Sequence, residues 1–238
     1  MIYFILFQVR AEDADILTML VYHSSRFKHP LFMTTSKGSY NVRRIWESLS
    51  ERQRQYLLFC HAFTGCDTVS AIGGHGKTAL FDRFCAGKID QHMQIFLQQQ
   101  ASRDEVMKAG VAIFQHIYNS PGTALGTIRY NMFHRKAAAG QMKPETLPPT
   151  AGAAAQHSLR AYLQTHDWMQ LDSMSLDPTD YGWTVGPNGY EPVPTLEPMA
   201  PDELLRFMSC NCHGDCSNRR CSCMKSGVKC ISACGNCK

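Results

Sequence analysis

Eight of the eleven cysteines in this 238-residue chain fall between Cys210 and Cys237, with the spacing C-x-C-x3-C-x4-C-x-C-x6-C-x3-C-x2-C. The rest of the chain holds only Cys60, Cys66 and Cys85. The run has almost no apolar side chain from which to build a core, so it needs a staple. Thiolates bind zinc tetrahedrally, and in small structural sites the ion supplies the folding free energy, about 10–16 kcal/mol. Gly214, Asp215, Ser217, Asn218 and Gly227 permit the tight turns of a chain wrapped around an ion. The predicted ligands are Cys210, Cys212, Cys216, Cys221, Cys223, Cys230, Cys234 and Cys237. A disulfide knot is the alternative. The N-terminal "MIYFILF" lacks the basic flank and cleavage site of a secretory signal and is too short to span a bilayer. The expected compartment is therefore reducing, where clustered cysteines favour metal.

A composition of 44 % hydrophobic and 18 % charged residues is that of an ordinary globular chain, and the net charge of +4 is too modest to argue nucleic-acid binding by itself. Three regions separate: 1–135, 136–207 and 208–238. In the first, "IYFILFQV" reads as a strand buried on both faces, "DADILTMLVYHSS" as a buried helix and "PLFMTT" as a short strand. "YNVRRIWESL" and "ERQRQYLLFCHAF" read as helices, and two more cover 91–100 and 103–118. Cys60, Cys66 and Cys85 are read as core. The second region is a linker and docking segment, with the small-residue connector "KAAAGQMKPETLPPTAGAAA", one helix in "QHSLRAYLQTHDWMQL" and an extended stretch. Trp168, Tyr181, Trp183 and Tyr190 serve either core packing or an interface.

Two features of the first region carry chemistry. "GCDTVSAIGGHGKTALFDRF" packs four glycines into Gly65–Gly76. "AIGGHGKT" fits a degenerate phosphate-binding loop with Ala71 at the first glycine, but such a loop needs a buried strand leading into it, and "GCDTVS" is polar. The stretch reads instead as the turn between two helices. The other feature is "EDADILTML". Two aspartates two residues apart at the end of a strand point into one crevice, so Asp13 and Asp15, with Asp67 as a third carboxylate, are candidate ligands for a divalent metal. Locally, Asp13 would instead cap the following helix and Asp67 shape a turn.

The tail, down to "RRCSCMKSGVKC", resembles the tesmin-like CXC family of zinc- and DNA-binding modules, in which nine cysteines hold three zinc ions. The resemblance implies two or three zinc ions here: two need eight unshared ligands, whereas three need bridging thiolates, His213 or a ninth cysteine beyond Lys238. It also implies contact with duplex DNA through Arg219, Arg220, Lys225 and Lys229. Eight thiolates around two zinc ions would cancel the tail's own positive excess, so phosphate contact rests on the placement of those four side chains. The alternative is a structural zinc knot that docks to protein.

"QYLLFCHAFTGCDTVSAIGGHGKTALFDRF" resembles the helix–two-turn–helix of flap-endonuclease-like (PIN-like) nucleases. That implies DNA-phosphate contact through Gly74, Gly76, Lys77 and Thr78, with K⁺ at the hairpin. In the same family, Asp13, Asp15 and Asp67 would hold Mg²⁺ for phosphodiester hydrolysis. Further carboxylates of that family would lie before Met1, so the expectation is weak metal binding and little or no cleavage by this chain alone. The whole resembles an invertebrate family, often repetitive in genomes, that joins such a domain to a CXC tail. The expected fold is thus α/β, a truncated flap-endonuclease-like domain that is mostly helical after its first strands, with a zinc-stapled C-terminal module. The expected function is zinc-dependent DNA binding in the nucleus, with no membrane association. The alternatives are a metal-dependent, structure-specific nuclease active in a longer or complemented form, and a zinc-bearing protein-interaction module.

Overall fold

The computed structural model describes residues 6–138, 146–170, 176–195, 197, 216, 221 and 224. It is a mixed α/β chain, mostly helical. Strand β1 (Phe7–Arg10) leads into helix α1 (Ala14–Tyr22); β2 (Leu31–Thr35) and β3 (Gly38–Asn41) follow, then α2 (Val42–Ser48) and α3 (Glu51–Phe63). A long loop connects α3 to α4 (Lys77–Cys85). Beyond it lie α5 (Asp90–Ile95), α6 (Arg103–Ile117), α7 (Leu125–Ala138), α8 (Ala151–Met169) and a hairpin of β4 (Trp183–Gly186) and β5 (Gly189–Pro192).

The first sheet has the order β1-β2-β3, with β1 parallel to β2 (Phe7 opposite Leu31) and β3 antiparallel to it (Met33 opposite Tyr40). The expectation that the first strand is buried on both faces is corrected here. Leu6 and Phe7 are 60 % and 53 % exposed. The reason is topological: β1 is paired only with β2, and of its residues Val9 packs against the small core of Val21, Leu31 and Val42. The start of the helix expected over "YNVRRIWESL" also shifts. Tyr40 belongs to β3, and Asn41 caps α2 by accepting from the Arg44 N–H at 3.0 Å.

The main core lies between α3, α4, α5, α6 and α8. Helices α3 and α6 each begin with a capping box, Ser50 with Gln53 and Ser102 with Glu105, which fixes where the chain turns helical. The apolar residues Val106, Ala109, Ile113, Phe114 and Ile117 recur at helical spacing along α6 and are all buried. Phe59, Phe63, Phe84 and Phe96 form an aromatic cluster, with Phe59 and Phe96 ring centroids 4.7 Å apart. Gly110 lets α6 and α8 approach so closely that an added Cβ would overlap Ser158.

Helix α8, which begins inside the stretch expected to be a small-residue connector, contributes Ala154, Leu159, Ala161 and Tyr162 to this core. Thr150 caps it, and the Glu197 carboxylate accepts from the Gly152 N–H at 2.7 Å. Helix α7 and strands β3, β4 and β5 were not anticipated; α5 ends earlier than the predicted 91–100. Of the four aromatics, Tyr181 stacks on Tyr162 at 5.4 Å, Trp168 and Trp183 are half-buried and Tyr190 is exposed. Among the described residues no helix is long and apolar enough to cross a membrane.

Candidate functional site

Asp13 sits between β1 and α1, and its carboxylate Oδ1 accepts the Asp15 N–H at 2.8 Å, so the local capping role is real. That same cap turns the first helical residues so that Asp15 faces α3. Glu12 goes elsewhere: its carboxylate accepts from the Ser36 N–H (2.6 Å) and hydroxyl (2.9 Å) at the β2–β3 turn.

Asp67 comes from the far end of α3. That helix stops at Thr64, and a tight turn follows, closed by the Cys66 N–H donating to Val69 O at 2.8 Å and the Val69 N–H returning to Cys66 O at 3.2 Å. Asp67 lies at the tip of this turn. The packing of α1 against α3 brings it to the helix start, and the carboxylates of Asp13, Asp15 and Asp67 lie within 4.8 Å of one another. Asp13 and Asp67 are exposed and Asp15 is half-buried.

An all-oxygen donor set suits a hard cation. Ligands on octahedral Mg²⁺ stand about 3.0 Å apart in cis and about 4.2 Å in trans, from Mg–O bonds of about 2.1 Å. Three carboxylates with oxygens within 4.8 Å of one another approach that spacing, which makes Asp13, Asp15 and Asp67 a candidate donor set for such a cation.

The residue that sequence reasoning missed is His61. Its Nε2 lies 2.6 Å from Asp15 Oδ1, with 13 % and 15 % of the two side chains exposed. The ten histidines show no ligand spacing in sequence, and His61 and Asp15 are 46 residues apart, so only the α1–α3 contact reveals the pair. The Trp168 ring at the end of α8 stands 5.7 Å from the His61 ring. The Trp168 carbonyl accepts from His23 Nε2 at 2.8 Å, which ties this end of α8 to the end of α1.

The glycine-rich loop connects the turn to α4. No strand leads into Ala71–Thr78; the chain arrives from the isolated Cys66–Val69 bridge, which agrees with the exclusion of a phosphate-binding loop of the strand–turn–helix type. Gly74 has φ +78°, and the His75 N–H donates to Ile72 O at 3.2 Å, closing a second turn. Gly76 then caps α4 with an extended φ of −76° and no side-chain hydrogen bond to the first turn. A Cβ at Gly76 would meet nothing within 4 Å, so no steric contact among the described residues demands glycine there.

Lys77 and Thr78 are exposed at the start of α4, and Lys77 makes no ion pair among the described residues. Burial lowers the His75 pKa, and the cations Arg83 and Lys136 lower it further, so this end of the loop lies in a basic surround. Arg83 itself is committed to the end of α6, where it donates to Ile117 O at 2.8 Å and Asn119 Oδ1 at 2.6 Å.

Cys60 is fully buried on α3, whereas Cys66 and Cys85 are half-buried, so only the first is core in the full sense expected. Burial pushes the Cys60 thiol well up; its S–H donates to Cys85, which lowers the Cys85 thiol. Of the eight predicted zinc ligands, Cys221 is buried and Cys216 half-buried. Cys210, Cys212, Cys223, Cys230, Cys234 and Cys237, together with Arg219, Arg220, Lys225 and Lys229, lie outside the described residues. Compared with known proteins, the chain matches no family model, no curated protein and no solved structure.

Proposed function

We propose that this chain is a DNA-binding protein, built on a flap-endonuclease-like domain with a carboxylate metal site and completed by a zinc-thiolate tail. The observation that carries the reading is the convergence of Asp13, Asp15 and Asp67 to within 4.8 Å from two segments more than fifty residues apart. The loop that delivers Asp67 runs directly into a turn with a lysine that makes no ion pair among the described residues and a helix start whose N-cap, Gly76, brings no side-chain hydrogen bond, donors of the kind that hold phosphate. Gly76, where no steric contact among the described residues demands glycine, leaves room for a phosphodiester to approach the backbone.

In this reading Asp13, Asp15 and Asp67 would hold Mg²⁺, which when bound would supply positive charge to a phosphoryl oxygen of the DNA backbone. His61 holds Asp15 in place from the protein side. Gly74, Gly76, Lys77 and Thr78 fix the register of the DNA backbone, with K⁺ as the cation suited to the hairpin. Two or three zinc ions staple Cys210–Cys237 and present Arg219, Arg220, Lys225 and Lys229 to duplex DNA. DNA as the partner makes the nucleus the expected location. The acidic cluster favours one second reading, a metal-dependent phosphodiesterase acting on DNA, in which the same aspartates are catalytic.

The deciding experiment is anisotropy of a labelled duplex titrated with the whole chain, across a salt series, with and without a zinc chelator. Binding whose logarithm falls linearly with the logarithm of salt is expected. Loss on chelation assigns the main contact to the tail, and chelator-resistant binding assigns it to Gly74–Thr78. Absence of salt-dependent binding overturns the reading. Cleavage of the duplex on adding Mg²⁺, lost in Asp67→Asn, would decide for the nuclease.

A further inference from the structure

Cys60 on α3 and Cys85 in the last turn of α4 belong to two helices that pack together. Their chain neighbours fix how the helices meet: the Phe84 ring stands 6.1 Å from the rings of both Phe59 and Phe63. Past the end of α4 the chain stays on the same helix. A Cβ at Gly87 would lie 3.9 Å from the Arg52 guanidinium of α3, and Arg52 pairs with Asp90 of α5. Between these contacts the Cys60 S–H donates to the Cys85 sulfur, and both residues are free cysteines. They differ in access to solvent. Cys60 is 1 % exposed, whereas Cys85 is half-buried and followed by exposed residues at 86–88. They differ also in acidity. The hydrogen bond from Cys60 lowers the Cys85 thiol against the effect of burial, with Arg52 lowering and Asp82 raising it further, while burial holds Cys60 as a thiol.

We propose that Cys85 and Cys60 are a site of reversible oxidation by hydrogen peroxide, with Cys85 as the attacking sulfur and Cys60 as the resolving one. The Cys85 thiolate attacks one peroxide oxygen; an S–O bond forms, the O–O bond breaks, and the other oxygen leaves as hydroxide and takes up a proton as water. Cys85 is then a sulfenic acid, oxidised by two electrons. The Cys60 sulfur, already in hydrogen-bond contact, attacks it next. An S–S bond forms, the S–O bond breaks, and hydroxide leaves with the Cys60 proton as a second water. One peroxide and two thiols thus give one disulfide and two waters. The bond joins the two ends of segment 61–84, which carries Asp67, Gly74 and Gly76, so oxidation pins that loop at both sides. In a reducing compartment the disulfides that do form are transient ones of this kind.

The test treats the whole folded chain with hydrogen peroxide, blocks the remaining thiols with N-ethylmaleimide and maps tryptic peptides by mass spectrometry. Cleavage after Arg54, Lys77, Arg83 and Lys88 puts Cys60 and Cys66 on one peptide and Cys85 on another. The two peptides should appear linked, with fragment ions placing the bond on Cys60, and dithiothreitol should separate them. In Cys60→Ala the sulfenic acid has no resolving partner, so trapping of Cys85 by dimedone should rise about tenfold. In Cys85→Ser, Cys60 should stay unmodified while the fold is intact. A bond from Cys85 to Cys66 or to a cysteine of 210–237 overturns the pairing. Oxidation of Cys85 without a link in the wild-type chain removes Cys60 from the reaction and overturns it too. A Cys85 that stays reduced while the cysteines of 210–237 are oxidised overturns the site altogether. Should Cys60→Ala fail to fold, the wild-type peptide map decides alone.

Discussion

His61 and Asp15 meet across the α1–α3 contact with Nε2 2.6 Å from Oδ1, in a site where both side chains are largely withdrawn from water. A hydrogen bond to a charged group in such a place contributes about 1.5–3 kcal/mol. His61→Ala leaves a half-buried carboxylate without its partner and should lower unfolding stability by about 1–3 kcal/mol, read from urea melts. His61→Gln keeps a donor in reach and should restore most of the loss. Equal stability of the two variants would mean that the imidazole matters only by its bulk.

The carboxylate triad predicts a metal titration. Mn²⁺ binding followed by electron paramagnetic resonance should weaken about tenfold or more in Asp15→Asn and in Asp67→Asn, since each removes one of three anionic ligands. Asp15→Asn should leave duplex affinity intact or slightly raised, because it removes a negative charge near phosphate. A large loss of duplex affinity in that variant would assign Asp15 a direct part in holding DNA.

Two glycines of the loop should behave oppositely. Gly65 has φ +118°, and a Cβ there would lie 2.6 Å from Ala71 Cα, so Gly65→Ala should destabilise the fold by about 2–4 kcal/mol. Gly76→Ala meets neither obstacle and should cost only about 0.5–1 kcal/mol, the preference of an N-cap for glycine over alanine. Its effect should appear instead in weaker duplex binding. Unaltered duplex binding by Gly76→Ala would remove the hairpin from the interface.

Acid should weaken the fold through His157. Burial pushes its pKa down to about 4, against the opposing pull of the Phe63 carbonyl, which accepts from Nε2 at 2.9 Å. The native state keeps this imidazole neutral, so the unfolded chain takes up the proton first as pH falls. Stability is therefore complete above about pH 6.5 and is lost on descending towards pH 4, by an amount on the order of 3 kcal/mol. Burial lowers His166 in the same direction. Urea melts between pH 7 and 4 should show this slope, and His157→Gln, which keeps a donor for Phe63 O, should flatten it. An unchanged slope in His157→Gln would place the titrating group elsewhere.

Cys221 is buried although it belongs to a run with few apolar residues. If thiolate coordination holds that run together, Cys221→Ser should lower the zinc content of the purified chain by one ion or more, measured by atomic emission. It should also remove the chelator-sensitive part of duplex binding. Unchanged zinc content and affinity would set the zinc account of the tail aside.

Features that depend on near neighbours were legible in the amino-acid order. The helices over "ERQRQYLLFCHAF" and 103–118 were legible from their periodicity, and the structure adds what starts them, Ser50 with Gln53 and Ser102 with Glu105. The glycines from Gly65 to Gly76 marked the turn between α3 and α4, and the two short acidic motifs nominated Asp13, Asp15 and Asp67. These are legible because capping, turn chemistry and helical periodicity depend on residues a few positions apart.

Packing between distant segments settled the rest. It left β1 at a sheet edge with Phe7 exposed, because burial of a strand is set by what covers it rather than by its own composition. It drew α8 into the core, where Ser158 meets Gly110 of α6 and Tyr162 meets Phe96 just past α5, each across more than forty intervening residues. It also gave Asp15 its histidine, for no spacing rule connects residues 15 and 61 until α1 and α3 pack side by side.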